Sequence, residues 1–205
     1  MPVFRTRVTE RKFSMKLTPF PLDATHHALV GTLPPALAGV DFEALWALHP
    51  NDYHVIHLMG RPVATPRWQT AFGHDYRYTG ALNPGLPMPP ILEPFLAAAQ
   101  GVDARINGLL LNWYDGDLGH YIGKHRDSVI GLVSSAPIIT FSLGAKRTFR
   151  FRKYRGPGII DLDTAKAPVI AFDFEVNRVF SHEVPKGTGR RISVTARAFN
   201  DPTPT

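Results

Sequence analysis

His125-Arg126-Asp127 sets an imidazole and a carboxylate two residues apart, and a second imidazole, His182, follows far downstream. Side chains alternate along a strand with a period of two, so residues i and i+2 project from one face. An imidazole and a carboxylate projecting together can hold one side of a divalent metal. A second histidine from a distant strand completes two histidines and one carboxylate, the facial set found on non-haem Fe(II). Three protein ligands leave several positions open for reactants, which favours Fe(II) over zinc.

The run Arg191-Ile192-Ser193-Val194-Thr195-Ala196-Arg197 supplies a second constellation. On a strand, Arg191, Ser193, Thr195 and Arg197 share one polar, inward-lining face, and Arg190 points the other way. The planar guanidinium matches a carboxylate in a two-pronged contact, so Arg191 and Arg197 could clamp a small dianion beside the metal. The remaining histidines are less suited. His120 faces away from His125 on a continuous strand. Asp52, His54 and His57 lack a strand-like surround, so all of these are expected to be structural or surface groups.

The elements that must carry these residues divide near residue 105. Upstream, Pro35 to Leu48 has roughly amphipathic spacing, with Asp41 a candidate cap for its second half. Pro89 to Gly101 opens on prolines and closes on glycine, the asymmetry of a short helix. Between them, Ala81 to Pro90 contains four prolines and a glycine and reads as a loop. Downstream, the strands expected are Leu109–Tyr114, Pro137–Leu143, Thr148–Arg152, Val169–Asp173 and Ile192–Arg197. Repeated short strands punctuated by Gly116, Gly144, Gly156, Gly158 and Gly187 indicate a sandwich or barrel. The expected division is 1–105 as N-terminal extension and lid and 106–200 as catalytic core, within one structural domain. Residues 201–205 should fray.

With 205 residues the chain can bury a sizeable core. It contains no cysteine, which excludes disulfides, zinc–thiolate sites and thiol nucleophiles. The opening residues lack the apolar segment of a secretory signal, and no apolar run is long enough to span a bilayer. A cytoplasmic location is therefore expected, or a nuclear one in a eukaryote. Lysine plus arginine exceed aspartate plus glutamate by 23 − 17 = 6, a balance that favours a polyanionic partner. Arg67, Lys146, Arg147, Arg150, Arg152, Lys153 and Arg155 are the candidate phosphate contacts.

The stretch from Asn107 to Phe199 resembles the catalytic core of the AlkB family of 2-oxoglutarate- and Fe(II)-dependent dioxygenases. The matching pieces are Asn112-Trp113-Tyr114-Asp115-Gly116, Gly123 to Asp127, Pro137 to Ala145, Arg147 with Phe149 to Arg152, His182 to Pro185, and Arg191 to Arg197. Upstream, Pro66 to Gly73 and Tyr76 to Gly80 are similar to the lid that covers the substrate base. The resemblance implies a mainly β fold, a double-stranded β-helix (jelly roll) with flanking helices and an N-terminal α/β lid. It implies Fe(II) on His125, Asp127 and His182, with 2-oxoglutarate as cosubstrate and O2 as oxidant. Arg191, assisted by Tyr114, would hold the distal carboxylate, and Arg197 with Asn112 the end nearer the metal. Ser193 stands where the family often has asparagine. Trp68, Phe72 or Tyr76 would stack on a flipped base, with Arg67, Tyr78 and Arg126 also touching substrate; core packing is the competing expectation for each aromatic.

The implied reaction is oxidative demethylation of N-alkylated bases in DNA or RNA, carried out by a monomer with no membrane partner. One departure bears on the substrate. Family members acting on alkylated bases commonly carry an acidic residue just after His-x-Asp, and here Ser128-Val129 follow. Two rival expectations remain: the same chemistry on a small molecule, protein or lipid, and a non-catalytic nucleic-acid-binding jelly roll.

Overall fold

A computed structural model describes residues 15–78 and 80–200. The expectations for the opening residues and for the tail at 201–205 lie outside the described residues. Strands are numbered here in chain order. The larger sheet runs β1 (Leu17–Pro21), β2 (His27–Gly31), β14 (Val169–Phe172), β11 (Ile138–Gly144), β16 (Arg190–Arg197), β9 (Gly108–Asp115), β5 (Trp68–Phe72) and β8 (Gly85–Leu86). The smaller sheet runs β10 (Ile122–His125), β15 (Phe180–Val184), β12 (Thr148–Lys153) and β13 (Ile159–Asp163). Two hairpins, β3 (Val55–Leu58) with β4 (Arg61–Ala64) and β6 (Tyr76–Tyr78) with β7 (Ala81–Asn83), complete the strands, and the helices are α1 (Phe42–Trp46), α2 (Glu93–Gln100) and α3 (Phe174–Val179).

The central strands of the larger sheet are buried on both faces, and the period of two assigns each face a different task. Leu109, Leu111 and Trp113 of β9, Ile139 and Phe141 of β11, and Ile192, Val194 and Ala196 of β16 pack with Leu92, Phe95, Ala98 and Ala99. This is the main core, under α2. The opposite face turns toward the smaller sheet, where Tyr114 and Ile138 join Phe149, Phe151, Phe172 and Phe180. Two facing sheets with helices outside make the jelly roll with flanking helices that the sequence suggests. Among the described residues, no helix is long and apolar enough to cross a membrane.

Strands from before residue 105 enter this sheet directly. β5 pairs with β9, and β2 pairs with β14. The helix-like stretch Pro35–Leu48 is a 3-10 turn at Pro35–Leu37 followed by α1, with Asp41 capping this second half as expected. The break has a cause: Asp41 leaves helical geometry and its carboxylate accepts hydrogen bonds from the Glu43 and Ala44 amides. The stretch read as a loop, Ala81–Pro90, carries β7 and β8. Pro84 and Pro87 bracket an edge strand of only two residues, the position where proline is tolerated because no ladder hydrogen bond is lost. The helix expected over Pro89–Gly101 is present as a 3-10 turn, Pro90–Leu92, running into α2.

Candidate active site

The site lies in a cavity of about 420 Å³ lined by residues of both sheets and both hairpins. β10 and β15 are antiparallel neighbours, and their register sets His125 directly opposite His182. Cross-strand partners on one face are in contact, and the two rings lie 4.3 Å apart. Asp127 is two residues past the end of β10, so the shared-strand expectation is corrected: an extended segment, not the ladder, carries it. Asn177 of α3 does the holding. Its Oδ1 accepts from the Asp127 amide at 2.9 Å, and its Nδ2 donates to the Asp127 carbonyl at 3.0 Å. Asp173 caps α3 by accepting from the Val176 amide.

The ligand atoms of His125, Asp127 and His182 all lie within 4.8 Å of one another. His125 Nδ1 donates to the Gly123 carbonyl at 2.9 Å, which leaves Nε2 as the donor atom facing Asp127 at 3.5 Å. His182 Nε2 is 3.6 Å from the same Asp127 oxygen. Arg197 Nη2 donates to the other oxygen at 2.5 Å. Burial opposes charge on Asp127, but Arg197 and the two imidazoles outweigh it and hold the carboxyl well below its usual range. Burial, reinforced by His125, pushes His182 down despite Asp127. A charged carboxylate and neutral imidazoles are the forms that bind a divalent cation.

Beneath this group lies a cationic cradle. Arg191 is fully buried; Nη2 donates to Ser142 Oγ at 2.8 Å, while Nε and Nη1 have no partner. Its guanidinium sits 5.0 Å from the Tyr114 ring. Arg191 does not itself line the cavity, whereas Tyr114, Thr140, Ser193 and Thr195 around it do. Arg190 points outward to Glu43, as alternation requires. Arg147 is a second buried guanidinium, with Nε and Nη1 unpartnered. Its expected role as a phosphate contact on the surface is corrected by that burial. Neither arginine has a carboxylate partner among the described residues. A buried cation is costly unless paired, so the cradle is chemically fitted to an anionic ligand such as a dicarboxylate.

The lid residues separate by strand face. β5 pairs with β9 so that Trp68 lies opposite Trp113 and Phe72 opposite Leu109, on the core side. Trp68 stacks on His49 at 4.2 Å, and Phe72 is buried in the main core. Neither lines the cavity, so the expectation that they stack on a base is corrected. Arg67, Tyr76, Tyr78 and Arg126 do line it. Asn112 lines it too, but its Oδ1 accepts from Arg67 Nε at 2.7 Å, tying the lid to the site floor. His120 is structural: its Nε2 contacts the Tyr53 hydroxyl and its Nδ1 accepts from the Asp115 amide. Sequence reasoning missed the apolar roof of Ile56, Leu58, Val63 and Ala64, together with Asn177. The roof is a hairpin turning at Met59-Gly60, both at positive φ, so the expectation that no strand surrounds His57 is corrected: it lies in β3. Nothing in the sequence pairs Asn177 with Asp127.

These donors fit the cofactors of one group of enzymes. A family model described as the 2OG-Fe(II) oxygenase superfamily matches residues 29–197. The chain is 27% identical over 157 residues to the DNA oxidative demethylase ALKBH2 of Homo sapiens, covering 69% of this chain and 60% of the human protein. The Mus musculus ALKBH2 is 27% identical over the same length, with 65% of it covered. The chain thus spans less than two thirds of these relatives. A solved structure, "The structure of OsALKBH1", superposes with a TM-score of 0.50 at 15% identity, covering 76% of this chain and 89% of that one, a likeness of fold. On the family match, which runs through the metal-ligand candidates and both clamp arginines, the chain belongs to the 2OG-Fe(II) oxygenase superfamily.

Proposed function

We propose that this protein is an Fe(II)- and 2-oxoglutarate-dependent dioxygenase that removes N-alkyl groups from bases of nucleic acid, DNA foremost. The observation that carries the reading is the single cavity in which His125, Asp127 and His182 meet the wall of Arg67, Tyr76 and Tyr78. The relatives named as DNA oxidative demethylases support the choice of substrate. In this reading His125, Asp127 and His182 hold the iron, and Arg191 with Tyr114, Ser193 and Arg147 receive the distal carboxylate. Arg197 steadies Asp127 and turns its free Nε and Nη1 toward the nearer end of the cosubstrate, beside Asn112.

Iron, 2-oxoglutarate and O2, once bound, would supply an oxidant that puts one oxygen atom into succinate as CO2 leaves and the other, as a hydroxyl, on the N-methyl carbon. The N–CH2–OH product then breaks its C–N bond, the nitrogen takes up the hydroxyl proton, and formaldehyde departs. The protein's share is placement and exclusion of water. Tyr76 and Tyr78 flank the base, the apolar hairpin covers it, and the phenylalanines around His182 keep the metal side dry. The reading has it acting as a monomer, in whichever compartment, cytoplasm or nucleus, holds its nucleic acid.

Formaldehyde release measured on methylated oligonucleotides, free methylated nucleosides and unmethylated controls tests this. Release confined to the methylated oligonucleotides is expected. Release from none of them, with steady succinate production, would transfer the chemistry to a small molecule, protein or lipid.

A further inference from the structure

We propose that the base pocket selects a neutral, carbonyl-bearing N-alkylated base and disfavours a cationic one; this rests on the demethylase reading above. The charges lining the cavity are one-sided. Arg67, Lys124, Arg126 and Arg197 are cations, and Asp127 is the one carboxylate among the lining residues. Asp127 is already engaged by Arg197 at 2.5 Å and by both imidazoles. No lining carboxylate is left to meet a positive base. At the position after His-x-Asp, Ser128 reaches the cavity wall without charge.

The Arg67 side of the wall adds a hydrogen-bonding preference of its own. Arg67 is buried and makes no ion pair among the described residues. Its Nε donates to Asn112 and its Nη2 to Gln69 Oε1 at 3.0 Å. The Tyr78 hydroxyl donates to the same Gln69 oxygen at 2.7 Å, and Gln69 Nε2 donates to Asn83 Oδ1 at 2.6 Å. The Gln69 oxygen is thereby used up, and the Asn112 oxygen already takes the Arg67 Nε proton. Two donors of this wall remain for a ligand, Arg67 Nη1 and Asn112 Nδ2, while the Tyr78 hydroxyl, its proton given to Gln69, can only accept. Arg67's field already acts on its surroundings, since burial and then Arg67 push His54 below its ordinary range.

An unpaired guanidinium with a free amide N–H beside it donates to carbonyl oxygens and repels a positive base. 3-Methylthymine and 1-methylguanine are neutral and present such oxygens beside the methylated nitrogen. 1-Methyladenine and 3-methylcytosine carry a positive charge near neutral pH, so they would meet like charge; 1-methyladenine has no carbonyl at all, and 3-methylcytosine keeps only the one beside its methylated nitrogen. The methyl leaves the neutral lesions by the balanced step above, with N–CH3 becoming N–H plus formaldehyde.

The test is kcat/KM for single-stranded oligonucleotides of one sequence carrying each of the four lesions. A preference for the neutral lesions of about tenfold or more is expected, the scale of one charge-assisted contact. Arg67→Gln should erode it. Because Arg67 also braces Asn112 and Gln69, Ser128→Glu is the companion variant: a carboxylate at the wall should shift the ratio about tenfold toward the cationic lesions. Preference of the wild type for cationic lesions overturns the inference and leaves the demethylase reading intact, as does a ratio unmoved by Ser128→Glu. Loss of methyl from none of the four overturns both.

Discussion

A guanidinium buried without a carboxylate is an unfinished interaction, and Arg191 and Arg147 are two of them, near enough that burial and then Arg147 push Arg191 down. Arg191→Lys keeps the charge but loses the planar fork. The half-saturating 2-oxoglutarate concentration should rise about tenfold or more, read from succinate formation; an unchanged value would put the clamp elsewhere. Asn177 works through Asp127, not on a reactant. Asn177→Ala frees two backbone groups of the loop carrying the carboxylate, and apparent Fe(II) affinity should fall by roughly 10- to 100-fold, as when other supporting partners of metal ligands are lost. Asp127 is a poor place to probe the metal alone, because removing it leaves Arg197 buried and unpaired, at a cost of about 3–5 kcal/mol. The metal set and the arginine face were legible in the sequence because residue type and period two suffice to name them. Asn177 was not, since its role depends on where a helix from another part of the chain comes to rest.

Elements position these groups through register, and one glycine shows how tightly. Gly144 ends β11 opposite Arg191, at φ +80°. A Cβ there would sit 2.5 Å from the Arg190 carbonyl oxygen and 2.5 Å from the Phe42 ring. Gly144→Ala should cost about 1–3 kcal/mol and lower Tm by several degrees, measured calorimetrically; unchanged stability would show that the turn can relax. Strand faces explain the misplaced aromatics. Alternation in Trp68-Gln69-Thr70-Ala71-Phe72 separates two sets but does not say which faces the core, and large aromatics suit either. Pairing with β9 decides it by setting Trp68 against Trp113. Five downstream strands, β9, β11, β12, β14 and β16, were readable from their apolar runs and glycine turns, whereas β13 was not. Nor were β7 and β8, because strands of two or three residues carry almost no periodicity.

At the scale of the whole molecule, the positive charge is redistributed by pairing. Arg150 pairs with Asp161 and Glu183, Arg152 with Glu183, Lys153 with Asp23 and Lys146 with Asp163. These residues, expected as phosphate contacts, are largely neutralised. Composition counts charges and cannot see such partners. Lys124, Arg126 and Arg155 have no ion-pair partner among the described residues, and they line a second cleft of about 320 Å³ that shares Lys124, His125 and Arg126 with the first. The Arg126 guanidinium lies over the Tyr154 ring at 4.1 Å. If the flanking backbone of a single strand follows this cleft, neutralising all three should flatten the log affinity against log salt slope by about 2, at ~0.7 per phosphate contact. An unaltered slope would move the backbone path to another face.

The central claim is that one metal centre couples 2-oxoglutarate oxidation to removal of a methyl group from a base, and stoichiometry tests it most directly. His125 is the ligand to vary, since its side chain is 32% exposed and its Nδ1 holds only the Gly123 carbonyl. Succinate and formaldehyde should be counted together on a singly methylated oligonucleotide, with wild type and His125→Ala. Equal amounts from the wild type, dependent on Fe(II) and 2-oxoglutarate, and neither product from a folded His125→Ala variant are the expected result. Formaldehyde that persists in that variant, or succinate formed by the wild type with the methyl left on every base offered, would contradict it.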